Sequence, residues 1–136
     1  MGFRFCFALA GLVALASAAA PALAHHSFAA EFDRNKMVTL TGTVTKVEWA
    51  NPHARFYIDV KDPSGKVNNW DFELSSPNGL MRRGWTRNSL KLGDTVTVNG
   101  WAAKNAANVA NASTITLADG KKSSQDRRLR MKQIHN

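Results

Sequence analysis

The sequence predicts an all-β domain with one short helix: a small five-stranded OB-like barrel in the order strand, strand, strand, helix, strand, strand. Three observations carry this. Apolar residues recur at alternate positions in separate stretches between Met37 and Leu117, the period of a strand with one face buried. The first stretch is long and exchanges its apolar face part-way, as a strand shared by both halves of a closed barrel must. A single helix-start signal, Ser76-Pro77, falls between the third and fourth stretches. A curved open meander with the same strand order is the alternative architecture.

The elements follow in order. Residues 25–36 read as a leader without a clear period, in which Ser27 can cap a short turn that brings Phe28 and Phe32 together at i, i+4. From Met37, Val38, Leu40 and Val44 alternate with Thr39, Thr41, Thr43 and Thr45, and the apolar side then passes to Val47 and Trp49. Such a switch predicts a bulge or sharp coil, and Gly42 permits bending or a close backbone approach. Asn51-Pro52-His53 breaks the strand. The second strand sets Phe56, Ile58 and Val60 against Arg55, Tyr57, Asp59 and Lys61, and Asp62-Pro63-Ser64-Gly65 turns the chain. The third alternates Trp70, Phe72 and Leu74 with Asp71 and Glu73. Ser76 caps the helix, Pro77 occupies its first position, and Leu80, Met81 and Trp85 supply apolar contacts. Val96 and Val98 mark the fourth strand, an Asn/Ala loop spans Lys104 to Asn111, a fifth strand lies around Thr114 to Leu117, and Asp119-Gly120 ends the domain.

The chain opens on a targeting pattern. Arg4 precedes an apolar run from Phe5 to Ala20, and Pro21-Ala22-Leu23-Ala24 has the small-x-small form of a signal-peptidase site. The run is short for a membrane span, which needs about 20 residues. The expectation is a cleaved segment at 1–24, a leader at 25–36, a barrel at 37–120 and a basic disordered tail at 121–136, in the periplasm or secreted, without stable membrane insertion. The lone cysteine, Cys6, lies inside the cleaved segment, so the working domain relies on its core rather than on disulfides. Of the net charge of +8, Arg4 carries one and residues 121–136 carry five, which leaves two for 25–120. The basicity belongs to the tail. With export, this balance argues against nucleic acid as a partner.

Four strings, HHSFAAEFD (25–33), TLTGTVTKVEWANPHA (39–54), SPNGLMRRGW (76–85) and SLKLGDTVTVNG (89–100), together resemble a family of small exported bacterial proteins classed as a domain of unknown function. The resemblance covers about 25–120. It implies an exported β-barrel-like domain with histidines at its mature start and in the Asn-Pro-His turn, and it implies no activity. Arg55 stands where the pattern carries an aromatic residue, and the basic tail replaces a short ending.

Chemistry concentrates at the histidines. Cleavage after Ala24 makes His25 the first residue, with an amine and an imidazole nitrogen on one residue, a bidentate grip suited to copper(II). His53 completes a three-nitrogen brace, or His26 completes a local site through its amide and ring. Distance weighs against the brace. A straight first strand spans about 40 Å at 3.3 Å per residue, and a helical leader at about 1.5 Å per residue falls well short of it. An extended leader or a curled first strand removes the difficulty. Frayed, solvated histidines at 25 and 26, and a turn-forming role for His53, are the plainer readings, and His135 belongs to the tail. The expectation leans to a non-enzymatic metal-binding domain, with copper its candidate metal. The competing class is a barrel that binds a cell-envelope saccharide through Trp49, Arg83 and Trp85, and a third is a structural domain with no small ligand. Asp71 and Glu73 share a strand face, but most such pairs simply meet water.

Overall fold

A computed structural model describes residues 27–124. Eight elements follow one another: α1 (Phe28–Glu31), β1 (Phe32–Glu48), β2 (Arg55–Lys61), β3 (Val67–Glu73), α2 (Pro77–Met81), β4 (Thr95–Ala103), β5 (Val109–Leu117) and β6 (Lys122–Ser124). The sheet runs β3-β2-β1-β4-β5-β6, and a second pairing of β3 with β5 closes it. That closing contact is parallel, Asp71 to Glu73 against Val109 to Asn111, and the other pairings are antiparallel. The OB-like barrel is therefore present, and the open meander is not.

β1 serves both halves, as its length suggests. Met37 to Thr43 pairs with β4, and Thr43 to Glu48 pairs with β2. The register slips between Val44 and Lys46, where the apolar face changes sides in the sequence. Gly42 makes the close approach: a Cβ there would collide with the Asp59 carbonyl group. The side chains inside are those the alternation marks, with Phe56, Ile58, Phe72, Val96, Val98 and Leu80 among the fully buried. Phe56 and Phe72 stack across β2 and β3 with ring centroids 5.3 Å apart. Ser76 caps α2 by accepting from the Gly79 N–H at 3.2 Å, with Pro77 at the start of the helix.

Three boundaries depart from the sequence reading. β1 starts at Phe32 rather than Met37, because Phe32 is buried and pairs with Ala103 before a second irregularity that ends at Met37. The intervening Asp33-Arg34-Asn35-Lys36 is polar throughout and bends on itself, the Asn35 N–H donating to Asp33 Oδ1 at 2.9 Å. It carries no period to read. β5 starts at Val109, inside the stretch expected to be loop, since its first three residues make the barrel closure. A sixth strand, Lys122–Ser124, pairs with Thr114 to Thr116 and takes the start of the segment expected as tail into the sheet. It is wholly polar and three residues long, so no hydrophobic signal announces it.

Candidate functional site

One end of the barrel opens into a cavity of about 730 Å³. Three parts of the chain build it. The first is α1, held over the end of β4: the Lys104 N–H donates to Glu31 O at 2.8 Å, and Lys104 Nζ donates to Ala29 O at 2.6 Å. This seats Phe28 edge-on to Trp101, ring centroids 5.4 Å apart, and 5.4 Å from Phe32. The Arg34 guanidinium lies over the Phe28 ring at 5.0 Å, a cation–π contact.

The second part is the turn before β2. The Ala54 N–H donates to Ser75 O at 3.1 Å, and the Leu74 N–H donates to Ala54 O at 2.8 Å. The residue beside that ladder, His53, thus stands next to the end of β3. Its Nδ1 lies 2.9 Å from Glu73 Oε1. Glu73 is only 7% exposed and gathers three donors: His53, Arg55 through Nη1 at 3.4 Å and Asn111 through Nδ2 at 3.4 Å. Arg55 also donates from Nε to Asp71 Oδ1 at 2.9 Å. The strand pleat explains the cluster. Arg55 is opposite Glu73 and Tyr57 is opposite Asp71, so all four side chains project from one face. Asp71 and Glu73 are both engaged by Arg55.

Electrostatics at this face run outward through Tyr57, which donates to Glu48 Oε2 at 3.1 Å, while Glu48 pairs with Lys46. Burial of its ring, then the nearby Asp71 charge and the bond to Glu48, hold the Tyr57 hydroxyl above its ordinary pKa. The bond from Lys46, followed by that from Tyr57, lowers Glu48. Arg55 loses solvation, which favours the neutral form, but its bond to Asp71 and the Asp71 and Glu73 charges outweigh this and raise it.

The third part is the exit from α2, where Arg83 donates from Nη1 to Ser75 Oγ at 2.9 Å and lines the cavity with His53, Glu73, Asn111 and Phe28.

A carboxylate that accepts the Nδ1–H of His53 fixes the tautomer and leaves the Nε2 lone pair for a ligand in the cavity that His53 lines. Among the described residues no group of three or more His, Cys, Asp or Glu is arranged to hold a metal ion. His25 and His26 lie outside the described residues. The saccharide set does not converge. Arg83 lines the cavity, Trp49 is a partly buried ring packed on the core, and Trp85 is 5% exposed within the core. Trp85 therefore offers no stacking face. Of the apolar contacts expected from Leu80, Met81 and Trp85, the core takes Leu80 and Trp85, while Met81 is exposed. Asn111 and Phe28 are site residues that the sequence reading did not single out as such. The one legible sign of the site was Arg55, alternating in phase with Tyr57 toward the face that carries Asp71 and Glu73.

A family model described as "Family of unknown function (DUF6152)" matches residues 12–112. The chain belongs to this family. No curated protein matches it. Among solved structures, two crystal forms of the mitochondrial single-stranded DNA binding protein Rim1 of S. cerevisiae are similar in fold. One is 15% identical with a TM-score of 0.48, covering 68% of this chain and 99% of that one. The other is 13% identical with a TM-score of 0.48, covering 64% and 94%. The exclusion of nucleic acid drawn from charge and export is withdrawn. Charge balance over a whole domain does not report what one face of an OB-like barrel contacts. Among the described residues of this DUF6152 member, no helix is long and apolar enough to cross a membrane.

Proposed function

We propose that this DUF6152 protein is an exported, non-enzymatic copper(II)-binding domain whose metal is braced by the His25 amine, the His25 imidazole and His53 Nε2. One observation carries the reading: His53 is held through Nδ1 by a buried carboxylate at 2.9 Å, the arrangement that orients a metal-ligating histidine. A second supports it. Phe28 and His53 line the same cavity, which favours a short span between the mature start and His53. His25 precedes Phe28 by three residues, a reach of about 10 Å at full extension.

Calorimetric titration of copper(II) into chain beginning at His25, and into the same chain with the His25 amine acetylated, tests the brace. Sub-micromolar binding by the first and binding at least about tenfold weaker by the second is expected, since one of three nitrogen ligands changes from amine to amide. Equal affinity for the two chains overturns the proposal.

A further inference from the structure

We infer that the same cavity binds a small organic anion, a carboxylate or phosphate group on an aromatic or apolar body, clamped between Arg34 and Arg83. This goes beyond the copper reading and does not rest on it.

Size is the first argument. A cavity of about 730 Å³ is far larger than one coordinated ion needs, and it falls in the range of about 300–1,000 Å³ typical of small-molecule sites. Charge is the second. Arg34 and Arg83 both line the cavity, and among the described residues neither pairs with a carboxylate. Arg34 rests on the Phe28 ring, and Arg83 spends one nitrogen on Ser75 Oγ. A guanidinium has five N–H donors, so both keep donors for a ligand. The lining carboxylate Glu73 accepts from His53, Arg55 and Asn111, with Arg55 shared with Asp71, so its oxygens are taken up by donors other than Arg34 and Arg83. A guanidinium fork suits carboxylate or phosphate. Shape is the third argument. Phe28 and Trp101, packed edge to face, give the cavity an aromatic wall on which an apolar body can lie.

The test is NMR titration of chelator-treated full chain with benzoate and with phenyl phosphate, benzamide serving as the neutral isostere. Both anions, or the one whose group fits, should shift the Trp101 indole N–H signal saturably in the millimolar range or below. Benzamide should bind at least about tenfold more weakly, the loss of one charge-assisted contact. Arg34→Gln and Arg83→Gln should each weaken anion binding about tenfold, whereas Lys91→Gln, outside this cavity, should not. The arginines are not in the core, and an unchanged amide spectrum establishes that the variants fold. Which anion binds more tightly identifies the group. Absence of saturable shifts with either anion, parity with benzamide, or indifference to both arginine substitutions overturns the inference. Because no metal is present, these outcomes leave the copper test independent.

Discussion

Replacing Glu73 by alanine probes the hinge of the site. Glu73 is buried and accepts from three side chains, one at 2.9 Å from His53 and two at 3.4 Å from Arg55 and Asn111. A hydrogen bond to a charged group contributes about 1.5–3 kcal/mol, and bonds at the long limit contribute less. Removing one member of a fully buried ion pair costs about 3–5 kcal/mol, because the other charge is stranded. Arg55 is not stranded here. It keeps Asp71 at 2.9 Å and its side chain is 31% exposed. The expected loss is therefore about 2–3 kcal/mol. In urea denaturation followed by tryptophan fluorescence, with a slope of about 1–2 kcal/mol/M, the midpoint should fall by about 1–3 M at unchanged slope. His53→Ala should cost less, since that side chain is about half exposed. Copper affinity should fall about 10- to 100-fold in Glu73→Ala, as for other second-sphere carboxylates. A midpoint that does not move, or a loss no larger than that of His53→Ala, would refute the assignment of Glu73 as the buried anchor.

Other outcomes follow from the same geometry. The chain has one tyrosine, so phenolate absorbance reads Tyr57 alone. Its midpoint should lie above 10 and fall toward it in Glu48→Gln, which removes a raising neighbour. The raised folded-state pKa makes this contribution complete below the unfolded pKa. It is lost as pH rises through the folded one, so stability should decline above pH 10 less steeply in Tyr57→Phe. Gly100→Ala should cost about 2–3 kcal/mol in thermal or urea unfolding, because its Cβ would collide with the Asn111 carbonyl oxygen and lie 3.3 Å from Ala112 Cα, backbone atoms that cannot rotate aside. Ser76→Ala should cost about 1 kcal/mol, with Ser76→Asp restoring most of it, since the lost interaction is a helix cap.

Sequence periodicity made most of the barrel legible. Val38, Leu40 and Val44 followed by Val47 described a bulge, and the register slips between Val44 and Lys46. Ser76 and Pro77 marked α2 because capping chemistry is local. What stayed hidden was non-local or polar. The Phe32 pairing with Ala103 and the Val109 to Asn111 closure depend on partners distant in sequence, and Lys122–Ser124 buries too little apolar surface to show a period. The site was half visible. His53 stood out as a residue type, yet its partner Glu73 is brought to it by strand pairing rather than spacing. Trp85 looked like a ligand platform because the sequence does not say which tryptophans the core consumes.

The central claim is that His53 and the residue exposed by cleavage after Ala24 share one metal ion. Electron paramagnetic resonance of one equivalent of copper(II), on chain beginning at His25 and on its His53→Ala variant, reads this directly. Hyperfine structure from three nitrogens is expected in the first, and the loss of one imidazole nitrogen in the second. Identical spectra from the two proteins would contradict the claim.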